Sequence, residues 1–143
     1  NGKYLTSNTL YSNNHRHIGS QYTIIRGKTN PSLSLLVFGF LYNMKDHCEA
    51  VIVNTVEETL QEHWFVKALK EEEYSAIIVL AHMHYIDPLV TLILTEIRKH
   101  VGPNIVVQFI TGHSHIRAYQ QLDSHSSSFE AGKYFETIGF ISF

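Results

Sequence analysis

The chain has 143 residues, of which 44% are hydrophobic, and this length and composition are typical of one domain that buries a core. Its 11 Lys and Arg residues against 13 Asp and Glu residues leave the net charge near zero. An extended nucleic acid is therefore excluded as a ligand, because no basic stripe is present to neutralise a phosphate backbone.

Three further features of the sequence concern membrane spans, disulfides and the start of the chain. No apolar run approaches the roughly 18 residues that a membrane helix needs, and the single cysteine, Cys48, excludes an internal disulfide. The sequence begins at Asn1 without a methionine or a signal peptide, so we expect that the beginning of the protein is missing. The composition does not indicate a cellular compartment.

The first half of the chain predicts one core strand and one helix. The first 32 residues are polar, with extended candidates at residues 4–9 and 22–26, and predict either two edge strands or a long loop with strand pieces. Residues 32–40 are apolar, β-branched and aromatic, which predicts a buried strand. Residues 54–73 predict one amphipathic helix, with Asn54 as its N-cap and Glu57 as the capping-box partner.

The second half predicts a continuation of the same alternation. Residues 75–81 and 104–110 predict two more buried strands, and residues 88–101 predict a helix that begins with a proline and ends before Gly102. The tail breaks at the Ser-rich SHSSS, and residues 134–143 predict a last strand. We therefore expect an α/β fold with a mainly parallel βαβ core and a terminal β segment, and no second domain.

Histidine is abundant, and four of the ten histidines follow the predicted core strands in pairs. His82 and His84 follow the second strand, whereas His113 and His115 follow the third. The carboxyl ends of parallel strands lie at one edge of a sheet, about 4.8 Å apart, so imidazoles with metal bonds of about 2.1 Å can share an ion. Gly112 lacks a side chain where the backbone must turn, which leaves room for an ion.

A single histidine at a strand end is more often a hydrogen-bonded loop residue than a metal ligand. Two H-x-H pairs after consecutive parallel strands favour a metal site instead. His15 and His17 form a third pair, but no buried strand precedes them, so we interpret them as residues of a solvated loop. The same interpretation applies to the histidines of predicted loops and helix surfaces, which are His47, His63, His100 and His125.

The motifs GHSH at residues 112–115 and LAHMH at residues 80–84 resemble the last two metal-binding motifs of the calcineurin-like metallophosphoesterases. The segments YLTSNT, LLVFGFLYNM and GKYFETIGF are similar to the surrounding sequence in the fungal 5'-nucleotidase-like members of that family. The resemblance covers nearly the whole chain. It implies a layered metallophosphoesterase sandwich, of which residues 1–143 form the C-terminal portion.

The resemblance also implies a metal site. In such a site His82 and His113 bind one divalent ion and His115 binds a second, the ions being Zn, Mn or similar. His84 receives no role. The family's Asp-x-His, Gly-Asp and Asn-His motifs do not occur in this chain, so the resemblance places no catalytic residue in it and leaves the substrate-binding residues unknown.

Three charged residues near these motifs have other interpretations. Neither Asp87 nor Asp123 stands where the family places a bridging carboxylate. Asp87 is expected to serve the start of the following helix, where an anion interacts favourably with the helix dipole. Arg117 is expected to be an exposed strand arginine rather than a phosphate ligand.

The implied function is metal-dependent phosphoester hydrolysis, with a small phosphorylated substrate, most simply a nucleoside 5'-monophosphate. This chain supplies half of the site, and in isolation it is expected to be inactive. The alternative is a noncatalytic metal-binding or interaction module derived from such an enzyme. A phosphodiesterase or another phosphatase on the same scaffold would differ in its substrate pocket.

Overall fold

The computed structural model describes residues 4–30 and 32–142. Within these residues the chain forms the following elements in order: β1 (Thr9–Tyr11), β2 (Tyr22–Arg26), β3 (Ser34–Leu41), β4 (Val51–Val53), α1 (Val56–Leu60), α2 (His63–Glu71), β5 (Ala76–His82), α3 (Pro88–Val101), β6 (Val106–Thr111), β7 (Arg117–Asp123) and β8 (Ser126–Ala131).

Six of the strands form one mixed sheet in the order β2-β3-β5-β6-β8-β7. The pairs β3–β5, β5–β6 and β6–β8 are parallel, and the edge strands β2 and β7 run antiparallel to their neighbours. The parallel βαβ core and the α/β fold class predicted from the sequence are confirmed. Consequently the carboxyl ends of four central strands meet at one edge of the sheet.

One face of the sheet is covered by the helices and carries the core. Side chains alternate along a strand, so register partners such as Phe38, Val79 and Phe109 share this face, and all three are fully buried. Helices α2 and α3 place Phe65 and Ile93 against it, also fully buried. Burying each such side chain contributes about 1.5–3 kcal/mol, which makes this layer the main source of stability.

The second face of the sheet is only partly covered, by the segment before β1. Ser7 donates its backbone N–H to the carbonyl of Gly39 at 2.7 Å, and the Gly39 amide donates to the Ser7 hydroxyl at 2.9 Å. A Cβ at Gly39 would lie 2.7 Å from the Cβ of Leu5. Glycine at this position therefore permits the close approach of the two segments.

Part of the second face is exposed, and we call the surface formed by Ile25, Leu80, Ile110 and Tyr119 the open face. It carries apolar side chains from four strands, with exposed fractions of 53% for Ile25, 40% for Leu80, 37% for Ile110 and 63% for Tyr119. The strand register places all four side chains on the same face. Ile25 pairs with Leu35, which is in register with Ala76, four residues before Leu80 on the same strand. Leu80 pairs with Ile110, Ile110 with Phe129, and Phe129 with Tyr119.

The prediction of a single helix over residues 54–73 is wrong, because two helices form there, α1 and α2. Glu62 has extended backbone angles and separates α1 from α2. The N-cap of α1 is Thr55, with Glu58 as its capping-box partner, instead of Asn54 and Glu57. Both helices bury apolar residues against the same sheet face, so the helical spacing of apolar residues continues across the break.

The tail also differs from its prediction. The Ser-rich SHSSS does not end the sheet, since Ser126–Ala131 forms β8 and pairs with both β6 and β7. The strand predicted for residues 134–143 is absent from residues 134–142, and Phe143 lies outside the described residues, as do residues 1–3 and residue 31 of the polar first segment. The terminal β segment is therefore the hairpin of β7 and β8.

The helix predicted for residues 88–101 is confirmed as Pro88–Val101, and the polar first segment contains the predicted strand at Tyr22–Arg26. No helix in the described part of the chain has the length and hydropathy to cross a membrane.

Candidate metal centre

Two strand ends bring histidines together at the carboxyl edge of the sheet. His82 is the last residue of β5, and His113 follows the end of β6 by two residues. Nδ1 of His113 lies 3.1 Å from Nε2 of His82, and their ring centroids are 5.0 Å apart at an interplanar angle of 77°. The predicted placement of both residues at one edge is confirmed.

The loop that presents His113 and His115 has an unusual backbone. His113 has a φ of 87° and His115 a φ of 61°, both in the left-handed region that non-glycine residues seldom adopt. The loop is tied to the end of β5 through the Gly112 amide, which donates to the carbonyl of Met83 at 3.2 Å. A Cβ at Gly112 would meet no described atom within 4 Å, so the predicted room beside this residue is present.

Tyr42, which follows β3, contacts both histidines. Its ring centroid lies 5.0 Å from that of His113 and 6.3 Å from that of His82, and its amide donates to the His82 carbonyl at 3.3 Å. Asn8 in turn fixes the end of β3, because its side chain bonds both the amide and the carbonyl of Leu41, at 2.9 and 2.7 Å. The two imidazoles therefore rest against an aromatic ring on an ordered strand end.

A buried carboxylate lies behind the GHSH loop. Glu130 in β8 is 2% exposed, and its Oε2 accepts a hydrogen bond from the Ser114 hydroxyl at 2.7 Å. Its Oε1 is 3.4 Å from the Ile116 amide, which donates to it. No Lys, Arg or His among residues 4–30 and 32–142 forms an ion pair with Glu130.

The charges of this cluster act on His82. Partial desolvation and the neighbouring positive charge of His113 lower the pKa of His82, although the residue as a whole is exposed and the carboxylate of Glu130 acts in the opposite direction. His115 also lowers it. The neutral imidazole, which is the form that binds metals, is thereby favoured at neutral pH.

The residues fit part of a metal site. Two ligand atoms about 2.1 Å from one ion are separated by about 3.0–3.4 Å in octahedral or tetrahedral geometry, close to the distance between the His82 and His113 nitrogens. His115 is exposed on the same loop, but no three His, Cys, Asp or Glu side chains of the described residues form a group that could hold one ion.

The other candidate residues near the motifs have structural partners. His84 accepts a hydrogen bond from the Ile86 amide at 3.3 Å and packs on Tyr85. Asp87 caps α3 through the Leu89 amide, as predicted. Asp123 is bonded to Arg98. Arg117 is exposed in β7, also as predicted.

Most of the remaining histidines lie where they were expected, and one does not. His17 is half-buried, with its ring nitrogens 2.7 Å from the Thr6 carbonyl and 3.0 Å from Gln21 Nε2, and its ring packs edge-on against Trp64. The prediction of a solvated loop residue is therefore wrong for His17. His15, His47, His63 and His125 are exposed, and His100 bonds Glu96 on α3.

The sequence did not indicate Glu130, Ser114 or Tyr42 as residues of this centre. Glu130 has a weak signal in retrospect, because it falls at alternate positions with Ser126 and Ser128, which share its buried face. Tyr42 had no comparable pattern, since its contacts depend on the order of β3, β5 and β6 in the sheet.

No family model matches the sequence. It is 37% identical over 115 residues to an uncharacterized Saccharomyces cerevisiae protein, covering 76% of this chain and 19% of that protein. An uncharacterized Schizosaccharomyces pombe protein is 30% identical over 145 residues, with 99% of this chain and 24% of that protein covered. A secreted protein of Arthroderma benhamiae is 28% identical over 148 residues, with 98% and 22% covered. The chain spans about a fifth to a quarter of the length of these relatives.

The fold is similar to part of a solved structure, that of a 5'-nucleotidase from Candida albicans. The TM-score is 0.83 at 28% sequence identity, and the match covers 93% of this chain and 25% of that one. The likeness supports a metallophosphoesterase-like relationship, in agreement with the GHSH and LAHMH motifs.

Proposed function

We propose that this chain is the C-terminal portion of a metallophosphoesterase domain and that it supplies half of a dinuclear metal site for phosphoester hydrolysis. The substrate class that fits best is the nucleoside 5'-monophosphates. The observation that carries this proposal is the 3.1 Å approach of the His82 and His113 ring nitrogens at the carboxyl edge of a fold shared with a 5'-nucleotidase.

The histidines have distinct roles in this proposal. His82 and His113 hold one divalent ion, such as Zn or Mn, and His115 contributes to a second. When bound, such ions would supply Lewis-acid activation of a water and of the phosphoester oxygens. The proposal requires carboxylate ligands in addition to these three histidines.

An open groove lies beside the two histidines. It runs along the second face of the sheet, is lined mostly by apolar residues, and reaches His82 and Gly112. Tyr42 holds the two histidine rings from one side, which limits their rotation and fixes the direction of their nitrogens.

The proposal predicts a large loss of activity when His113 is replaced by alanine in the full-length protein. The substitution removes one of two ligands to an ion, so turnover of AMP and of p-nitrophenyl phosphate with added Mn or Zn should fall by about 100-fold or more. His84→Ala and His15→Ala are the matched controls, because each replaces a histidine that has no role in the proposed metal site. Each variant should retain most of the activity.

Two results would contradict parts of this proposal. Unchanged turnover in the His113→Ala protein would exclude the dinuclear site, and a loss with His84→Ala equal to that with His113→Ala would show an additional ligand. A full-length protein that binds metal and hydrolyses neither substrate would support the alternative of a noncatalytic metal-binding module.

A further inference from the structure

The buried carboxylate of Glu130 has an incomplete set of partners for a charged group. A carboxylate provides about four acceptor sites, and the two oxygens of Glu130 receive one hydroxyl donor and one long amide contact, with no ion pair among the described residues. Burial of a carboxylate is unfavourable when no cation offsets its charge. The other buried acid, Glu96, contacts both Lys99 and His100.

The position of Glu130 connects it to the histidine loop. In the sheet it pairs with Thr111 at the end of β6, and its side chain reaches Ser114, which stands between His113 and His115. Both histidines have left-handed backbone angles, which are unfavourable for residues other than glycine and persist only where the surroundings fix them. The Ser114 hydroxyl and the Ile116 amide donate to Glu130, so the loop is held at the residue after His113 and at the residue after His115.

We propose that Glu130 is a positioning residue of the metal centre. Its carboxylate holds the GHSH loop from behind through Ser114, and its negative charge offsets the positive charge of the metal bound by the histidines. Carboxylates that hydrogen-bond a metal ligand directly change metal affinity by about 10–100-fold when they are replaced, and Glu130 acts one residue away from the ligands, through Ser114. This inference rests on the proposed function, because it requires a metal at His82, His113 and His115.

The test is the substitution Glu130→Gln in the full-length protein, with Mn and Zn affinity measured by chelator competition. Affinity should fall by about 10–100-fold. The unfolding temperature of the metal-free protein should stay the same or rise, because glutamine keeps the shape and removes an unpaired buried charge. These opposite effects distinguish a positioning role from a purely structural one.

Two further variants sharpen the result. Ser114→Ala removes the hydrogen bond and keeps the charge, so it should lower metal affinity less than Glu130→Gln does. The double variant should bind metal more weakly than either single variant, because glutamine can still accept the Ser114 hydrogen bond, and each substitution therefore removes a different contribution. Glu96→Gln is the matched control for loss of a buried acid, and its metal affinity should equal that of the unaltered protein.

Each outcome decides the inference. Unaltered metal affinity in Glu130→Gln would overturn it and leave the proposed function standing. Failure of that variant to fold, or a lower unfolding temperature without metal, would also overturn it, by showing that the carboxylate holds the fold itself. If the unaltered protein binds metal and hydrolyses no phosphoester, the proposed function fails, and the affinity comparison still decides the role of Glu130. A protein that binds no metal would overturn both.

Discussion

His113 and His115 occupy backbone conformations that most residues avoid, at φ values of 87° and 61°. Such conformations are found where the surrounding structure determines them, often at functional sites. Here the neighbours that determine them are the end of β5, which bonds Gly112, and the Glu130 carboxylate, which bonds Ser114. The loop geometry and the histidine chemistry thus indicate the same location independently of each other.

The contact between Arg98 and Asp123 leads us to expect that the stability of the folded protein falls at acidic pH. Arg98 bonds Asp123 through two nitrogens, at 2.9 and 3.1 Å, and joins the end of α3 to the turn between β7 and β8. Partial burial tends to raise the pKa of Asp123, but the hydrogen bonds and charge of Arg98, with a bond from the His125 amide, lower it to about 2. The unfolded value is about 3.9, so the folded protein favours the ionised form.

We therefore expect Asp123→Asn to be destabilised by about 1–2 kcal/mol at neutral pH. A lowered pKa gives stability that is complete above about pH 4 and is lost as the pH falls towards 2, so the difference between the two proteins should shrink over that interval. Urea denaturation at several pH values measures it. Glu71→Gln, which alters an exposed pair with Lys67, should change stability little, and an equal effect of both substitutions would contradict the argument.

At the residue scale, the sequence predicted that His82 and His113 lie at the same edge of the sheet, because each stands at the end of an apolar run that indicates a buried strand. It did not predict Glu130, because the alternation of Glu130 with Ser126 and Ser128 is a weak signal in a segment whose serines indicate a turn. The burial of Glu130 depends on β8 lying between β6 and β7, which is a property of the sheet. His17 was misinterpreted for the same reason, since its contacts with Thr6 and Trp64 join separate parts of the chain.

The helices between β3 and β5 show how an element is defined by its first residues. Thr55 accepts a hydrogen bond from the Glu58 amide at 3.2 Å, and Glu58 accepts one from the Thr55 amide at 3.1 Å. Asn43 completes the cap by accepting from the Val56 amide at 2.8 Å. Asn54, one residue earlier, instead bonds Asn8 through its backbone carbonyl and amide.

The cap predicts that Thr55→Ala destabilises the protein by about 1 kcal/mol, because amides at the start of α1 lose an acceptor. Asn54→Ala is the matched control, since the backbone contacts of that residue remain, and it should cost clearly less. Thermal or urea unfolding of both variants measures the difference. If Asn54→Ala proved the more destabilising, the cap would lie where the sequence alone had suggested.

The last hairpin could not be predicted from composition. Serine is common in turns, and so SHSSS indicated a break, yet Ser126, Ser127 and Ser128 are all buried in β8. The burial of Ser127 and Ser128 is compatible with the sheet because partners are available, namely Gln108, which accepts from the Ser127 hydroxyl, and Thr111 beside Ser128. These partners come from β6, so the strand forms only when the sheet does.

At the scale of the whole molecule, the helices cover one face of the sheet, and apolar side chains of the other face are exposed to solvent. The parallel order of β3, β5 and β6 followed from the alternation of strands and helices in the sequence. The sequence did not predict how far the second face is buried, because apolar runs occur both in strands buried on two faces and in strands covered on one face. The open face defined by Ile25, Leu80, Ile110 and Tyr119 therefore leaves apolar side chains of four strands accessible.

The open face predicts that the isolated 143-residue chain self-associates, because apolar side chains and the edge strands β2 and β7 are both accessible. Sedimentation should detect oligomers whose fraction rises with concentration. Replacing Leu80 and Ile110 together by serine should reduce association. Ile86→Ser is the matched control, since Ile86 is 53% exposed in the loop before α3, and it should leave association unchanged. A monomer with sharp cooperative unfolding at high concentration would contradict this prediction, and the open face would then need no covering layer.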